Sequence, residues 1–424
     1  MSLVYVGFAP HPPIAVPQVG RGEEEKCRAT LAGMDTLAKA VCDSGAEILL
    51  VVSPHAPSDG ESLSFLESID GRLEGDFSAF GAGDVRFSWE TVPEIIGALR
   101  ELGGRGVRAR LDHGVMVPLY FLERAGWRGR LVVVAAPQVW ADVTPRLWGE
   151  RIAAMLEALP QRCGILASGD LSHRLKEEGP YGFHPSGPRF DELIVRGLQT
   201  EPDILGSLPE ILVEEAGQCG YASLLLALGA RKGACRVLSY EGPFGIGYLT
   251  AELYRSSPVA GYARACLCRY VEGSRGDETE IPGDPLLKTE RSCFVTLYKE
   301  GDLRGCIGTI KPVRPSLADE IRHNAVAAAV QDSRFRPVEA DELPLITVSV
   351  DVLGDLEVAE VAELDPYLYG VVVGSRGRTG LLLPRLAGVD TVAEQLAIAR
   401  QKAGILPDEE DVEIWRFQVD RYFE

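Results

Sequence analysis

Through the first 255 residues, short apolar and β-branched runs alternate with stretches of helical spacing, and this alternation restricts the fold more than any other feature of the chain. The runs at 3–9, 47–53, 131–136, 163–168 and 235–240 are strand-sized and bounded by Gly, Pro, Ser or His. Between them, 23–44, 92–102, 144–159, 188–200 and 219–230 carry apolar residues three and four apart. Strands that alternate with helices fold as βαβ units, so the spacing predicts an α/β domain whose central, mostly parallel or mixed sheet is flanked by helices.

After Tyr254 the pattern changes. One helical stretch, 258–271, precedes a segment at 272–288 that is rich in Gly, Pro and charge and reads as loop. Strands at 294–298, 345–353, 370–375 and 378–383, with helices at 315–332 and 389–404, predict a second domain of the α+β class. A chain of 424 residues is two to three times a usual domain, which agrees with two cores. Composition allows a boundary inside 273–287 or at Ser256-Ser257-Pro258, and no internal repeat is present.

Lys and Arg number 43 against 62 Asp and Glu, a net charge of −19. Such a field repels phosphate backbones and anionic lipid, so neither nucleic acid nor a membrane surface is expected as a partner. No apolar run approaches the ~18 residues of a spanning helix, and the N-terminus begins as a strand with no basic leader. A cytoplasmic location is expected, and the sequence leaves room for a homo-oligomer. The nine cysteines include no C-x-x-C pair and predict reduced thiols rather than a disulfide framework. Cys266 and Cys268 form a C-x-C on a helical stretch, where they point about 200° apart and do not share a zinc.

The histidines are unevenly placed. His11 follows the first strand in Pro10-His11-Pro12, His55 follows the second in Ser53-Pro54-His55, and His173 follows a third in Ser168-Gly169-Asp170-Leu171-Ser172-His173. Ligands and metals bind at the carboxyl ends of α/β strands, so these imidazoles should converge on one crevice, with Asp170 as an orienting partner. His113, in Asp112-His113-Gly114, sits in a loop before a helix. One such histidine alone would be an ordinary turn residue; four together point to a site. Imidazoles suit iron, zinc, copper or nickel, and two with a carboxylate leave positions open on non-haem Fe(II). Glu214, Glu215, Cys219 and Glu241 are on offer as the third ligand, and a thiolate would shift preference towards zinc or copper.

The ordered set Pro10-His11-Pro12, Ser53-Pro54-His55, Asp112-His113-Gly114 with Val117-Pro118-Leu119, Ser168 to His173 and 216–230 resembles the LigB-like class III extradiol ring-cleavage dioxygenases and their Memo relatives, over about residues 1–257. The resemblance implies an iron(II) cofactor held by His11, His55 and a later carboxylate, with a catecholic substrate and O₂ as partners. It makes His173 the acid/base histidine and His113 a pocket histidine. His184, in Gly182-Phe183-His184-Pro185, is a loop residue that could close over the same pocket as a substrate contact. Aligning the dioxygenase carboxylate motif places Ala222 at the ligand position, whereas the Memo branch has Cys-Gly, as in Cys219-Gly220. Cys219 is therefore the implied third ligand, with Glu215 as the carboxylate alternative.

The second domain carries Gly301-Asp302-Leu303-Arg304-Gly305-Cys306-Ile307-Gly308-Thr309. With Phe294-Val295-Thr296-Leu297, 324–329, Asp332-Ser333-Arg334-Phe335, Leu381 to Pro384 and Lys402-Ala403-Gly404, this resembles the AMME-syndrome candidate-gene family over 258–424. Two readings of Cys306 stand open: a nucleophile whose pKa Arg304 lowers, or a residue of a strand packed tightly on a helix. Arg304 could equally grip a substrate carboxylate or phosphate. His323 reads as a surface residue of its helix. The fusion resembles the AmmeMemoRadiSam association, which implies a radical S-adenosylmethionine protein as a partner. The alternative to a dioxygenase is accordingly an inert Memo-like metal-binding or redox scaffold acting with that partner.

Overall fold

The structure, a computed structural model, describes residues 2–68, 70–138, 144–231, 235–273, 279–299, 302–384, 386, 389, 391–406, 409 and 411–423. Residues 274–278 of the expected loop, Gly301 of the glycine-rich motif and Asp390 of the last expected helix lie outside them. Contacts divide the chain into two units, Met1–Arg255 and Ser256–Glu424.

The first unit contains β1 (Leu3–Ala9), β2 (Ile48–Val52), β3 (Ser64–Leu66), β4 (Arg72–Phe77), β5 (Ala82–Glu90), β6 (Arg105–Val107), β7 (Arg130–Ala135), β8 (Cys163–Ser168), β9 (Arg236–Glu241) and β10 (Tyr248–Arg255). Eight of these form one sheet in the order β6-β3-β7-β2-β8-β1-β10-β9, and β4 and β5 pair as a separate hairpin. The middle of the sheet, β7-β2-β8-β1, is parallel, while β10 joins β1 antiparallel and β3 joins β7 antiparallel. The sequence explains the parallel centre. Ile48–Val52 is buried at every position, as a strand covered on both faces by helices must be. The result is the α/β class expected from the alternation.

Three expected elements differ in detail. The helical stretch at 23–44 begins as a 3₁₀ turn, Glu23–Cys27, and becomes α-helix only over Arg28–Ser44. His113 is the first residue of the helix His113–Ala125 rather than part of the loop before it. Cys219 lies just ahead of the helix Tyr221–Ala230, not inside it. That last difference matters, because a residue ahead of a helix is free to turn toward a site.

The second unit contains β11 (Cys293–Lys299), β12 (Asp302–Gly308), β13 (Ile346–Leu353), β14 (Glu357–Val358), β15 (Gly370–Ser375), β16 (Arg378–Leu382), β17 (Glu413–Phe417) and β18 (Val419–Phe423). They form two antiparallel sheets, β12-β11-β13-β18 and β14-β17-β15-β16. Helices Pro258–Val271 and Leu317–Val330 share an apolar core with Val295, Leu297, Val348 and Val350 of the first sheet. Helix Val392–Ala403 closes a smaller core with Val371, Val373 and Leu382 of the second. Antiparallel sheets each covered on one face by helices make this unit α+β. All nine cysteines are free thiols, Cys266 buried and Cys268 partly exposed.

Candidate metal centre

Strands β1, β2 and β8 run parallel, so their carboxyl ends lie along one edge of the sheet. Chain leaves that edge as Pro10-His11, as Ser53-Pro54-His55 and as Gly169-Asp170. The three segments bring together side chains far apart in sequence. His11 Nε2 lies 3.1 Å from His55 Nε2 and 3.5 Å from Cys219 Sγ. One donor atom from each of His11, His55 and Cys219 falls within 4.8 Å of the other two. His113 stacks on His55 with ring centroids 4.4 Å apart and presents its ring at 87° to His11. Phe80 packs edge-on against His113 at 5.5 Å.

Hydrogen bonds define which nitrogen of His11 faces the cluster. Ser168 Oγ donates to the Gly114 carbonyl at 2.5 Å, so toward His11 Nδ1, 2.8 Å away, it can only accept. Nδ1 therefore carries the proton and Nε2 turns a lone pair toward His55 and Cys219. Asp170 holds the same corner together. Its carboxylate accepts the His11 N–H at 3.0 Å, its carbonyl accepts the Gly220 N–H at 3.0 Å, and its own N–H points to Cys219 Sγ at 3.3 Å. Close backbone approach makes this possible, since a Cβ on Gly169 would stand 2.1 Å from Gly220 Cα.

Burial dominates the electrostatics. His11 is held well below the usual imidazole range by burial first, then by His55, His113 and His173. Burial likewise lowers His55, and takes His113 down to about 4, while the nearby Asp112 carboxylate opposes both shifts. Neutral imidazoles are what a metal requires. The Cys219 thiol is pushed up by burial and then by Asp170, so without a cation it keeps its proton; a coordinated cation reverses that preference. Burial raises the Asp170 carboxyl to about 7.

His173 belongs to the same crevice, for the charge of His55 acts on it after burial in lowering its imidazole to about 4. Its ring lies 5.1 Å from that of Tyr181, and its buried Nε2 has no hydrogen-bond partner. The loop that carries it is pinned by Asp191, which accepts the Ser172 N–H at 2.8 Å and the Tyr240 hydroxyl at 2.7 Å.

The other candidates lie elsewhere. Glu215 turns to Ser186, whose hydroxyl donates to it at 2.7 Å, and stands 4.0 Å from His184 Nδ1. Glu215 and His184 thus form their own partly exposed knot. Glu214 is exposed, and Glu241 accepts the N–H and hydroxyl of Thr30. Ala222 is buried in its helix, and His323 is exposed on the helix Leu317–Val330. In the second unit, Arg304 is bound through two nitrogens to Glu342, at 3.1 and 2.9 Å, and to the Arg336 carbonyl, which holds the Glu342 carboxyl down at about 2. Gly305 lies against the helix Leu317–Val330, where a Cβ would meet the Ala328 carbonyl at 2.2 Å.

Five residues of the crevice escaped the sequence reading as site residues, Phe80 beside His113 among them. Asp112 and Ser168 lay inside motifs already noted, but their partners are 59 and 157 residues away, Ser53 and His11. Tyr181 and Asp191 carry no local signal.

The donor set fits a metal ion. Two neutral imidazole nitrogens and a thiol converge, one nitrogen is oriented by a hydrogen bond on the far side of its ring, and the 3.1 Å nitrogen separation falls within the ~3.0–3.4 Å expected of two ligands bound at about 2.1 Å each with an octahedral or tetrahedral angle between them. Three protein donors leave coordination positions free, as catalytic sites do.

Both units are similar to known protein families. The family model of the catalytic LigB subunit of aromatic ring-opening dioxygenase matches residues 5–250, and the AMMECR1 model matches residues 260–422. A protein of Clostridium acetobutylicum is 36% identical over 473 residues, covering 100% of both chains. One from Thermotoga maritima is 54% identical over 156 residues, 36% of this chain and 88% of its own. A solved structure of a Pyrococcus horikoshii protein aligns at 29% identity with a TM-score of 0.37, covering 39% of this chain and 89% of the other. By fold and donor set, the first unit is an α/β domain with a crevice able to hold a metal ion at the ends of parallel strands. The chain belongs to the LigB family, within the class III extradiol dioxygenase superfamily, and carries an AMMECR1 domain behind it. Among the described residues no helix is long and apolar enough to cross a membrane.

Proposed function

We propose that His11, His55 and Cys219 hold one iron(II) ion and that the crevice oxidises a catecholic or related small aromatic molecule with dioxygen. The observation that carries this reading is the convergence of two imidazole nitrogens and a thiol beside the unpartnered, buried Nε2 of His173. When bound, the ferrous ion supplies redox access to dioxygen and a Lewis-acidic anchor for substrate oxygens. The remaining tasks fall to the chain's own side chains. His173 is neutral near pH 7 and accepts a hydroxyl proton of the substrate at Nε2. His113, stacked on His55, and Phe80 beside it offer an aromatic wall for a planar ring. Tyr181 lies over the His173 ring and covers the base. Asp170 and Ser168 hold His11 in register.

The thiol of Cys219 favours a second reading. A thiolate in place of a carboxylate shifts the set towards zinc or copper and away from oxygen activation, which leaves a metal-binding or redox scaffold working with a radical S-adenosylmethionine partner. Metal analysis of anaerobically purified protein, followed by O₂ consumption after Fe(II) loading with a panel of catechols, separates the two. Iron near one per chain with catechol-dependent uptake supports the dioxygenase. Zinc or copper, or iron without uptake, overturns it in favour of the scaffold.

A further inference from the structure

The second unit contains a cavity that the metal centre does not use. Of the two faces of the sheet β14-β17-β15-β16, the helix Val392–Ala403 covers the one that carries Val371, Val373 and Leu382. The other face carries the rung Val358, Trp415, Val372, Leu381, one residue from each strand. Only part of that rung is packed. Val372 and Leu381 join Leu353 and Phe417 in a small apolar cluster, with Phe294 and Ile310 beside it, and this cluster ties the second sheet to the first. Val358, at the far end of the rung, is 82% exposed.

Beside the cluster, the second sheet and the segment that leaves β12 enclose a cleft of about 620 Å³. Val358, Val372 and Trp415 line it from the sheet, and Ile310, Lys311 and Val313 from the segment. Small molecules bind in concavities of this size with mostly apolar walls and a few polar groups, whereas a protein partner needs about 800 Å² of surface on each side. Val313 is 67% exposed, so an apolar occupant gains by taking it and Val358 out of water.

The walls are fixed by specific contacts. Glu320, fully buried on the helix Leu317–Val330, accepts the Val313 N–H at 2.5 Å and the Thr309 hydroxyl at 3.4 Å, and Ser292 Oγ donates to the Ile310 carbonyl at 3.2 Å. A buried carboxylate is costly unless hydrogen-bonded, and this one is committed to holding an exposed segment. Trp415 lies against β15 because Gly374, on the same face as Val372, has no side chain; a Cβ there would stand 3.0 and 3.3 Å from Cζ3 and Cη2 of the indole. Both walls are thus in place before any ligand arrives. Charge then selects the occupant. Lys311 is the sole charged residue among the described lining residues, it has no ion pair among the described residues, and no carboxylate lines the cleft beside it. In a chain of net charge −19, an unmatched cation at the rim of an apolar cleft favours an anion there.

We propose that this cleft binds a small aromatic carboxylate, its ring stacked on Trp415 and its carboxylate paired with Lys311. The site is independent of the metal centre and of the chemistry proposed for it. An aliphatic acid would use the valine methyl groups and leave the indole without a ring partner; a planar ring uses both.

Equilibrium dialysis of the full-length protein against 2-naphthoate, and against 2-naphthamide, which has the same rings and no charge, tests this. Naphthoate is expected to bind saturably at about one per chain and about threefold more tightly than the amide. Lys311→Gln should remove that preference and leave the amide unchanged, while Lys311→Arg keeps it. Trp415→Leu should weaken both ligands about fivefold. Because Trp415 also packs against β15, Val358→Asp is the companion variant. At an exposed position it sets a like charge beside the ligand, so it should lower naphthoate affinity at an unchanged thermal transition. Absence of saturable binding below ~1 mM, equal affinity for the two ligands, or a naphthoate affinity that Lys311→Gln and Val358→Asp both leave unchanged overturns the proposal. So does a dimer in sedimentation that Val358→Asp dissociates, since a second copy then covers the open rung.

Discussion

His11 has only one lone pair to offer, because the proton on its other nitrogen is committed to Ser168. Replacing it, or His55, leaves two donors, so His11→Ala and His55→Ala should each weaken metal binding by at least about tenfold, read as metal per chain after dialysis. Unchanged metal content in both variants would remove the site. His173 is predicted to behave differently. Its Nε2 is free to take a proton and is no part of the converging set, so His173→Ala should keep the metal and lose substrate-dependent turnover. Oxygen uptake at the parent rate in that variant would exclude the base role. Asp191 provides a test through pH. Burial raises its carboxyl to about 7, so the folded chain keeps a proton that the unfolded chain has lost above about pH 4. The stability contributed by that proton is present at low pH and is lost as pH rises through 7. Asp191→Asn is neutral at every pH and retains an acceptor for Ser172, so its cost in urea unfolding should shrink between pH 5 and pH 8, by about 1–2 kcal/mol. A cost that grows over that interval would contradict the assignment.

At the scale of elements, the crevice depends on two backbone segments approaching without side chains between them. Gly169→Ala adds a methyl where Gly220 Cα already stands, and should separate the Asp170 turn from Cys219. The expected result is metal affinity lowered at least about tenfold although no donor has changed, measured by competition with a chromophoric chelator. Elements whose residues are apolar throughout were legible in the sequence: β1, β2, β7 and β8 appear within one residue of their expected ends. Those that carry charge on one face were not. The β4–β5 hairpin alternates exposed charged positions with buried ones such as Leu73, Phe77, Phe87 and Trp89, and β17 and β18 mix Glu, Arg and Asp with aromatics. A strand with one face exposed shows fewer apolar residues in sequence than one buried on both sides, so its signal is diluted.

For the whole molecule, the consequence of two units with separate cores is thermodynamic. A metal ion held only by His11, His55 and Cys219 stabilises the first unit against unfolding by mass action, about 2.7 kcal/mol at a hundredfold excess over Kd, and leaves the core of the second without a direct term. Calorimetry with and without metal should therefore show one transition moving and one staying; two that move equally would mean that the units unfold together. The sequence by itself determined the class of each unit, the run of parallel strands and the turn positions of His11, His55 and His173, because periodicity and turn chemistry are set by neighbours along the chain. Which donor stands beside His11 was decided only in three dimensions. Cys219 meets it across 208 positions while Glu215, four residues earlier, turns away to Ser186 and His184. In the same way Thr296 and Asp332, not Arg304 two residues from the thiol, are the partners of Cys306. Side-chain direction at a loop or a strand edge depends on what the distant chain presents there, and no local pattern encodes it.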